Sequence, residues 1–311
     1  MKLFIYIVQT SRIKQQSKNL LILVPIFLSA NYWWPEQNDV KIELAYYSII
    51  GIISFVFSSW LIYIINDFVD KEKDITHPEK SKRPIVSGKI STKIIIILSV
   101  ILLFLSLALG IQVNSRFFMC VVGYIILMIL YCVILKKIFL IDVLTVSIGY
   151  MLRALAGVAI ITGSIFFTTT LTFPVWIILC TGFGALFILF IKRLAELNSS
   201  RKQLKREVIY KYNLPILNIL INSVEILTYV SYIGYCFSYN LFPSVKGNIP
   251  SDYSLIFTLP FVIFGMRYYK KLCSQNKFGD QPEEVIFNNK LLSFNFIVWV
   301  IMSSLIILFR N

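Results

Sequence analysis

Residues 44–74 read LAYYSIIGIISFVFSSWLIYIINDFVDKEKD, an apolar run that ends in an acidic segment. The run from 44 to 66 contains no charged side chain. A helix needs roughly 17–25 mainly apolar residues to cross the hydrocarbon core of a bilayer. The stretch therefore predicts a transmembrane helix whose end presents three aspartates.

Comparable apolar runs recur along the whole chain. The hydrophobic share of 57% and the mean hydropathy of +0.75 exceed the roughly 45–50% apolar share of soluble domains. Period-2 alternation is absent and open sheets do not cross lipid, so the spans are predicted to be helices. We predict an all-α integral membrane protein with about nine transmembrane helices in a single domain, residues 1–311. The predicted spans are 20–34, 44–66, 93–112, 117–135, 141–163, 173–192, 215–240, 253–267 and 289–309.

The basic residues are distributed unevenly between the two ends of these spans. Of the 30 Lys and Arg, 25 lie in the N-terminal segment or in loops 2–3, 4–5, 6–7 and 8–9, whereas four lie in the alternate segments. Short loops rich in Lys and Arg stay in the cytoplasm, which puts the N-terminus inside. We expect a bacterial inner membrane location, with membrane lipids and no nucleic acid as partners despite the net charge of +14. A purely topological role of the basic loops, with binding to anionic headgroups, is an alternative.

The acidic segment at residues 66–74 is the first candidate site. In a continuous helix Asp67, Asp70 and Asp74 lie at i, i+3 and i+7 on one face, where like charges repel unless cations share them. Oxygen ligands suit Mg²⁺, which keeps several waters and binds substrate phosphates. We therefore predict a Mg²⁺ cofactor held by Asn66, Asp67, Asp70 and Asp74, with the three aspartates catalytic. A solvated helix end of mixed charge is the alternative.

A basic loop with prolines and a glycine follows the acidic segment directly. A bound diphosphate needs metal on one side and cationic donors on the other. This order predicts phosphate binding by Lys73, Lys80, Lys82 and Arg83. His77, the only histidine, precedes a proline and is interpreted as a loop residue rather than a ligand.

Further substrate-binding candidates lie outside this loop. Arg153 stands within an apolar span, where a charge costs roughly 2.5 kcal/mol or more and usually faces a cavity or a partner. Snorkelling or pairing with Asp142 are alternatives for Arg153. The remaining candidates are Lys18, Tyr63, Lys136, Lys192 and Arg193. The alternative for Lys18 is an interfacial anchor, and the alternative for Tyr63 is a core aromatic.

The order of motifs resembles a known family. Residues 66–74 have the form NDxxDxxxD and are followed by KRP at 82–84 and SGxIS at 87–91. This pattern is similar to the first signature of the UbiA-type prenyltransferase superfamily, whose members are nine-helix membrane proteins that transfer groups at a lipid chain. The resemblance implies a UbiA-type helical bundle. Most members that use a prenyl diphosphate carry a second aspartate motif in loop 6–7, where this chain reads KRLAEL at 192–197.

Without the second aspartate motif, the chain resembles one branch of the superfamily, the decaprenyl-phosphate phosphoribosyltransferases. The similarity lies in KRLAEL, the segments 136–142 and 153–157, Arg267-Tyr268 and residues 280–284. The resemblance implies phosphoribosyl diphosphate as donor, a polyprenyl monophosphate as acceptor, and one metal motif with one basic site. Prenylation of an aromatic or other ring, and a transporter, are the rival functions. The sequence leaves a homo-oligomer open.

Overall fold

The computed structural model describes residues 2–34, 36–163, 175–198, 207–241, 253–274, 285 and 289–308. Within these ranges every regular element is a helix, which confirms the predicted all-α class. The chain forms two compact units. The first contains Met1–Val24 and Ile42–Phe166, and the second contains Pro25–Lys41 and Phe167–Asn311. The single domain over residues 1–311 stays a prediction.

The described ranges contain twelve α-helices, α1 to α12 in chain order. They are α1 Lys2–Thr10, α2 Leu23–Leu28, α3 Ala30–Trp33, α4 Asn38–Val69, α5 Lys71–Asp74, α6 Thr92–Val113, α7 Ser115–Val133, α8 Ile141–Thr162, α9 Val175–Asn198, α10 Leu214–Leu241, α11 Leu259–Ser274 and α12 Lys290–Leu308. The 3₁₀ segments are Ile13–Ile22, Lys80–Lys82, Leu135–Lys137, Glu207–Lys211 and Tyr253–Thr258.

Seven helices of the described chain are long and apolar enough to cross a membrane. They are α4, α6, α7, α8, α9, α10 and α12. The first and eighth predicted spans coincide instead with shorter pieces, since 20–34 is divided among a 3₁₀ segment, α2 and α3, and 253–267 joins a 3₁₀ segment to α11. Pro25 and Pro260 lie in these pieces, and proline lacks the backbone donor that a helix interior needs. The predicted count of about nine is therefore approximate.

In the first unit, α6 packs on α7, α7 on α8, and the 3₁₀ segment Ile13–Ile22 on α8. Small polar side chains join α4 to α6: Ser54 Oγ donates to the carbonyl of Ser106 at 2.8 Å, and the hydroxyls of Ser58 and Ser106 lie 2.5 Å apart. Small residues let helix backbones approach closely in lipid, and their hydroxyls bond across the contact. This serine seam, residues 54, 58 and 106, fixes α4 against its neighbour.

In the second unit, α9 packs on α10 and α11 on α12. Glu225 of α10 is buried and accepts a hydrogen bond from Lys270 Nζ of α11 at 2.9 Å and from the Tyr229 hydroxyl at 2.8 Å. A carboxylate within an apolar helix is costly unless it is paired, so these contacts explain how α10 tolerates it. They connect α10 with α11.

Candidate functional site

The acidic segment lies where the long helix α4 ends. Asp70, with φ −91° and ψ 6°, separates α4 from the short α5. The i to i−4 hydrogen bonds nevertheless continue, from the amide of Asp70 to the carbonyl of Asn66 at 3.0 Å and from the amide of Asp74 to the carbonyl of Asp70 at 2.8 Å. The backbone angles at Asp70 differ from those of the regular helix on which the predicted three-carboxylate face depends.

Asp67 and Asp74 converge on one cationic atom. Arg83 Nη1 donates to Asp67 Oδ1 at 2.8 Å and to Asp74 Oδ2 at 3.3 Å, while Lys80 Nζ reaches Asp74 Oδ1 at 3.2 Å. The two aspartates are only 2% and 3% exposed. Burial of an unpaired carboxylate is costly, so these positions require cations beside them.

Asp70 and Asn66 face a second cation. Lys136, from the 3₁₀ segment that follows α7, places Nζ 2.6 Å from Asp70 Oδ1 and 3.4 Å from Asn66 Oδ1. The Asp70 side chain is 23% exposed, more than that of Asp67 or Asp74. The predicted candidates Lys136 and Asp70 are therefore in contact. Asp67 and Asp74 pair instead with Arg83.

The donor set suits a divalent metal. Its ligands are carboxylate and amide oxygens, which Mg²⁺ prefers. Among the described residues, no three His, Cys, Asp or Glu side chains are grouped closely enough to hold an ion. Arg83 Nη1 lies instead between the carboxylates of Asp67 and Asp74, at a position where a positive charge is shared by two oxygens. Asp67 and Asp74 fit Mg²⁺ provided that the cations on their oxygens move aside, and Asp70 and Asn66 can join them only if Asp70 leaves Lys136.

The basic loop after α5 has a folded shape of its own. His77 Nδ1 accepts from the amides of Glu79 at 3.2 Å and Lys80 at 3.3 Å. Burial, with a smaller effect of nearby Lys80, lowers the pKa of His77 below its usual 6.5, which keeps this nitrogen free to accept. Lys73 and Lys82 are exposed. His77 thus shapes the loop, as its position beside proline indicated.

Arg12 joins the acidic cluster although the sequence pattern did not select it. Its Nη2 donates to Asp67 Oδ1, the same oxygen that Arg83 uses, and its Cζ lies 4.9 Å from the ring centroid of Tyr63. Its backbone is left-handed, with φ 49° and ψ 57°, at a cost of about 1–2 kcal/mol for a residue with a Cβ. Burial, and to a smaller extent the proximity of Arg12, lowers the pKa of Arg83.

Arg153 is the centre of a second polar cluster, in α8. It is 5% exposed. Nε donates to Asn19 Oδ1 at 2.8 Å, Nη1 to the carbonyl of Gly149 at 2.9 Å, and Nη2 to Ser59 Oγ at 3.2 Å and the Tyr124 hydroxyl at 2.9 Å. Its Cζ also lies 4.5 Å from the Tyr124 ring centroid. Asn19, Ser59 and Tyr124 were not selected from the sequence.

No carboxylate neutralises Arg153 within the ranges that the structure describes. Asp142 lies three turns earlier on α8, about 16 Å away along the axis, too far for the pairing considered from the sequence. A buried charge is costly without a counterion. The arrangement can therefore receive an anion.

The other predicted residues are placed as follows. Lys18 is half-buried next to Asn19, and Tyr63 lies beneath the Arg12 guanidinium. Lys192 and Arg193 belong to α9 in the second unit, where Arg193 is buried and its Nη1 donates to Glu196 Oε1 at 3.0 Å. Residues 280–284 lie outside the described residues.

Comparison with known proteins agrees with the fold and with the family resemblance. The model of the UbiA prenyltransferase family matches residues 22–281. A decaprenyl-phosphate phosphoribosyltransferase of Corynebacterium glutamicum is 29% identical over 94% of this chain and 84% of its own. One of Mycolicibacterium smegmatis is 26% identical over 94% of this chain and 90% of its own. A UbiA homolog from Archaeoglobus fulgidus, solved with GPP and Mg²⁺, superposes with a TM-score of 0.67 at 16% identity, covering 97% of this chain and 99% of that one.

Proposed function

Because the chain belongs to the UbiA prenyltransferase family, we propose that it transfers 5-phosphoribose from phosphoribosyl diphosphate to a polyprenyl monophosphate and releases pyrophosphate. The chain is an integral membrane transferase whose relatives carry the phosphoribosyltransferase name over most of their length. The observation that carries the proposal is one acidic cluster accompanied by one buried arginine without a carboxylate. One metal-bound diphosphate and one monophosphate require that combination.

The donor would bind at the acidic cluster. Asn66, Asp67, Asp70 and Asp74 would hold Mg²⁺, which supplies positive charge to stabilise the departing diphosphate. Basic side chains are already gathered beside these oxygens, since the contacts of Lys80, Arg83 and Lys136 with them range from 2.6 to 3.4 Å. With these oxygens committed to Mg²⁺, the three cations would become available to the donor phosphates, and the exposed Lys73 and Lys82 would be further donors.

The acceptor phosphate would be oriented by basic side chains. Arg153 offers a planar fork that suits phosphate, and Lys18 and Tyr63 are further candidates. Lys192 and Arg193 stay candidates from the sequence alone. A phosphate oxygen of the lipid forms the new bond to the anomeric carbon as the bond from that carbon to the diphosphate breaks. The attacking oxygen is already anionic, so no general base has to remove a proton. The only histidine, His77, serves the loop instead.

The reaction is proposed for the cytoplasmic face of the inner membrane. The support is the charge distribution, with 25 basic residues on the side of loop 2–3 and four on the other. Phosphoribosyl diphosphate is a soluble anion, and this placement lets it reach the acidic cluster from the cytosol. The lipid chain would enter sideways from the bilayer.

A label-transfer experiment tests the proposal. Purified protein receives Mg²⁺, a polyprenyl monophosphate and phosphoribosyl diphosphate labelled in the ribose. We expect the label in the lipid fraction with one pyrophosphate released per transfer, and neither without Mg²⁺. A parallel reaction offers a prenyl diphosphate and an aromatic acceptor. Prenylation there, without label transfer in the first reaction, would favour the rival function.

A further inference from the structure

Two arginines share one carboxylate oxygen in the acidic cluster. Arg83 Nη1 and Arg12 Nη2 both donate to Asp67 Oδ1. Arg83 also reaches Asp74, whereas the ion pairs of Arg12 in the described structure involve Asp67 alone. The carboxylate of Asp67 therefore lies beside two positive charges.

The backbone around Arg12 is held from several sides. Trp60 Nε1 donates to Thr10 Oγ1 at 2.8 Å, and Gln16 Nε2 donates to the carbonyl of Ser11 at 2.7 Å. Thr10 and Ser11 are buried. The left-handed conformation at Arg12 thus occurs in a fixed segment, which directs the guanidinium to α4 from outside the acidic motif.

A metal ion on Asp67 would bind the carboxylate that Arg12 and Arg83 already use. Like charges that compete for one carboxylate weaken each other's binding, so the metal and Arg12 oppose each other at this position. Once the carboxylate is committed to a metal, the guanidinium lacks an anion. Its side chain is 18% exposed and rests against Tyr63, so it can turn toward a phosphate that arrives with the metal.

We propose that Arg12 is a donor-binding residue that leaves Asp67 when the metal binds and pairs with a phosphate of the donor. The inference rests on the proposed function and adds a residue outside the NDxxDxxxD motif. It gives Arg12 opposite effects on two ligands. In the absence of donor it opposes the metal, and in the presence of metal it favours the donor.

Substitution at Arg12 separates these effects. Arg12→Asn removes the charge while asparagine still accepts a left-handed backbone. Titration calorimetry with Mg²⁺ alone should show affinity raised roughly tenfold, the effect that one unit charge commonly has on a carboxylate equilibrium at this range. Titration with phosphoribosyl diphosphate at saturating Mg²⁺, without acceptor, should show affinity lowered roughly tenfold or more.

Three further variants complete the experiment. Arg12→Gly takes a positive φ without strain and repeats the test if the asparagine variant fails to fold. Arg12→Lys keeps the charge and should stay near wild type for Mg²⁺. Arg116→Asn removes an exposed arginine elsewhere in the first unit and should alter neither affinity.

The outcomes distinguish the inference from the function on which it rests. A lower thermal midpoint in Arg12→Asn with both affinities unchanged would make Arg12 structural and overturn the inference alone. If Arg12→Asn lowered the affinity for Mg²⁺ as well as the affinity for phosphoribosyl diphosphate, that result would also overturn the inference alone. Wild-type protein that binds Mg²⁺ but not phosphoribosyl diphosphate would overturn the proposed function, and the inference with it.

Discussion

Replacement of Arg153 by methionine should lower activity far more than it lowers the folded fraction. The side chain makes four hydrogen bonds, to Asn19, Gly149, Ser59 and Tyr124. At about 1.5 kcal/mol each, the lower end for hydrogen bonds to a charged group, their loss costs about 6 kcal/mol. Removal of an uncompensated charge from an apolar span returns roughly 2.5–3.5 kcal/mol. The free energy of unfolding should therefore fall by about 3 kcal/mol, the difference between these two terms.

Activity should fall further than stability, because methionine has no positive charge and no donor with which to bind a phosphate. We expect label transfer from phosphoribosyl diphosphate to fall roughly 100-fold or more, as when a group that stabilises transition-state charge is removed. Arg153→Lys keeps the charge without the planar fork and should retain an intermediate rate. Arg116→Met, at an exposed position, is the matched control.

Thermal unfolding followed by tryptophan fluorescence gives the stability, and label in the lipid fraction gives the rate. The reasoning would be refuted if Arg153→Met were folded and turned over normally. It would also be refuted if the lost activity equalled the lost folded fraction, because Arg153 would then have a purely structural role.

Three other predictions follow from the acidic cluster, the basic loop and the charge distribution. Asp67→Asn should fold but lose about 100-fold or more of its rate, and near-normal turnover in Mg²⁺ would make the acidic cluster structural. The pKa of His77 is lowered in the fold, so its contribution to stability is present above pH 6.5 and is lost as the pH falls through the lower folded pKa. The difference in thermal midpoint between wild type and His77→Ala should therefore shrink on acidification, and a constant difference would contradict this role. Cysteine tags at Lys82 and Lys137 should react with an impermeant reagent from the cytosolic side and tags at Lys41 and Arg116 from the opposite side, and the reverse labelling would overturn the topology.

The long helices could be predicted because hydrophobic length is a local property. Residues 44–66 fall within α4, and 93–112 within α6, with no more information than the length of an apolar run. The structure of the first predicted span could not be predicted from hydrophobic length. Residues 20–34 are apolar enough, yet the chain there is a 3₁₀ segment followed by two short helices, and an apolar run does not reveal where its backbone hydrogen bonds change.

The candidate site also has one part that could be predicted from the sequence and one part that could not. Asp67, Asp70 and Asp74 are close in sequence, so their shared region could be read from spacing, although the distortion at Asp70 could not. The partners missed from the sequence come from far away: Arg12 is 55 residues from Asp67, and Asn19 is 134 residues from Arg153. Such contacts depend on how helices pack, which no local pattern encodes.

The serine seam between α4 and α6 has a consequence for the acidic cluster. Ser58 precedes Asp67 by nine residues, about 13 Å along the helix, and each residue inserted between them would advance the helix end by about 1.5 Å and rotate it by about 100°. The seam thus sets both the depth of the aspartates relative to the membrane surface and the direction in which they point. An inserted alanine would leave every ligand in the chain and yet turn Asp67 away from Arg83, so the spacing from seam to motif is as much a part of the site as its charged residues.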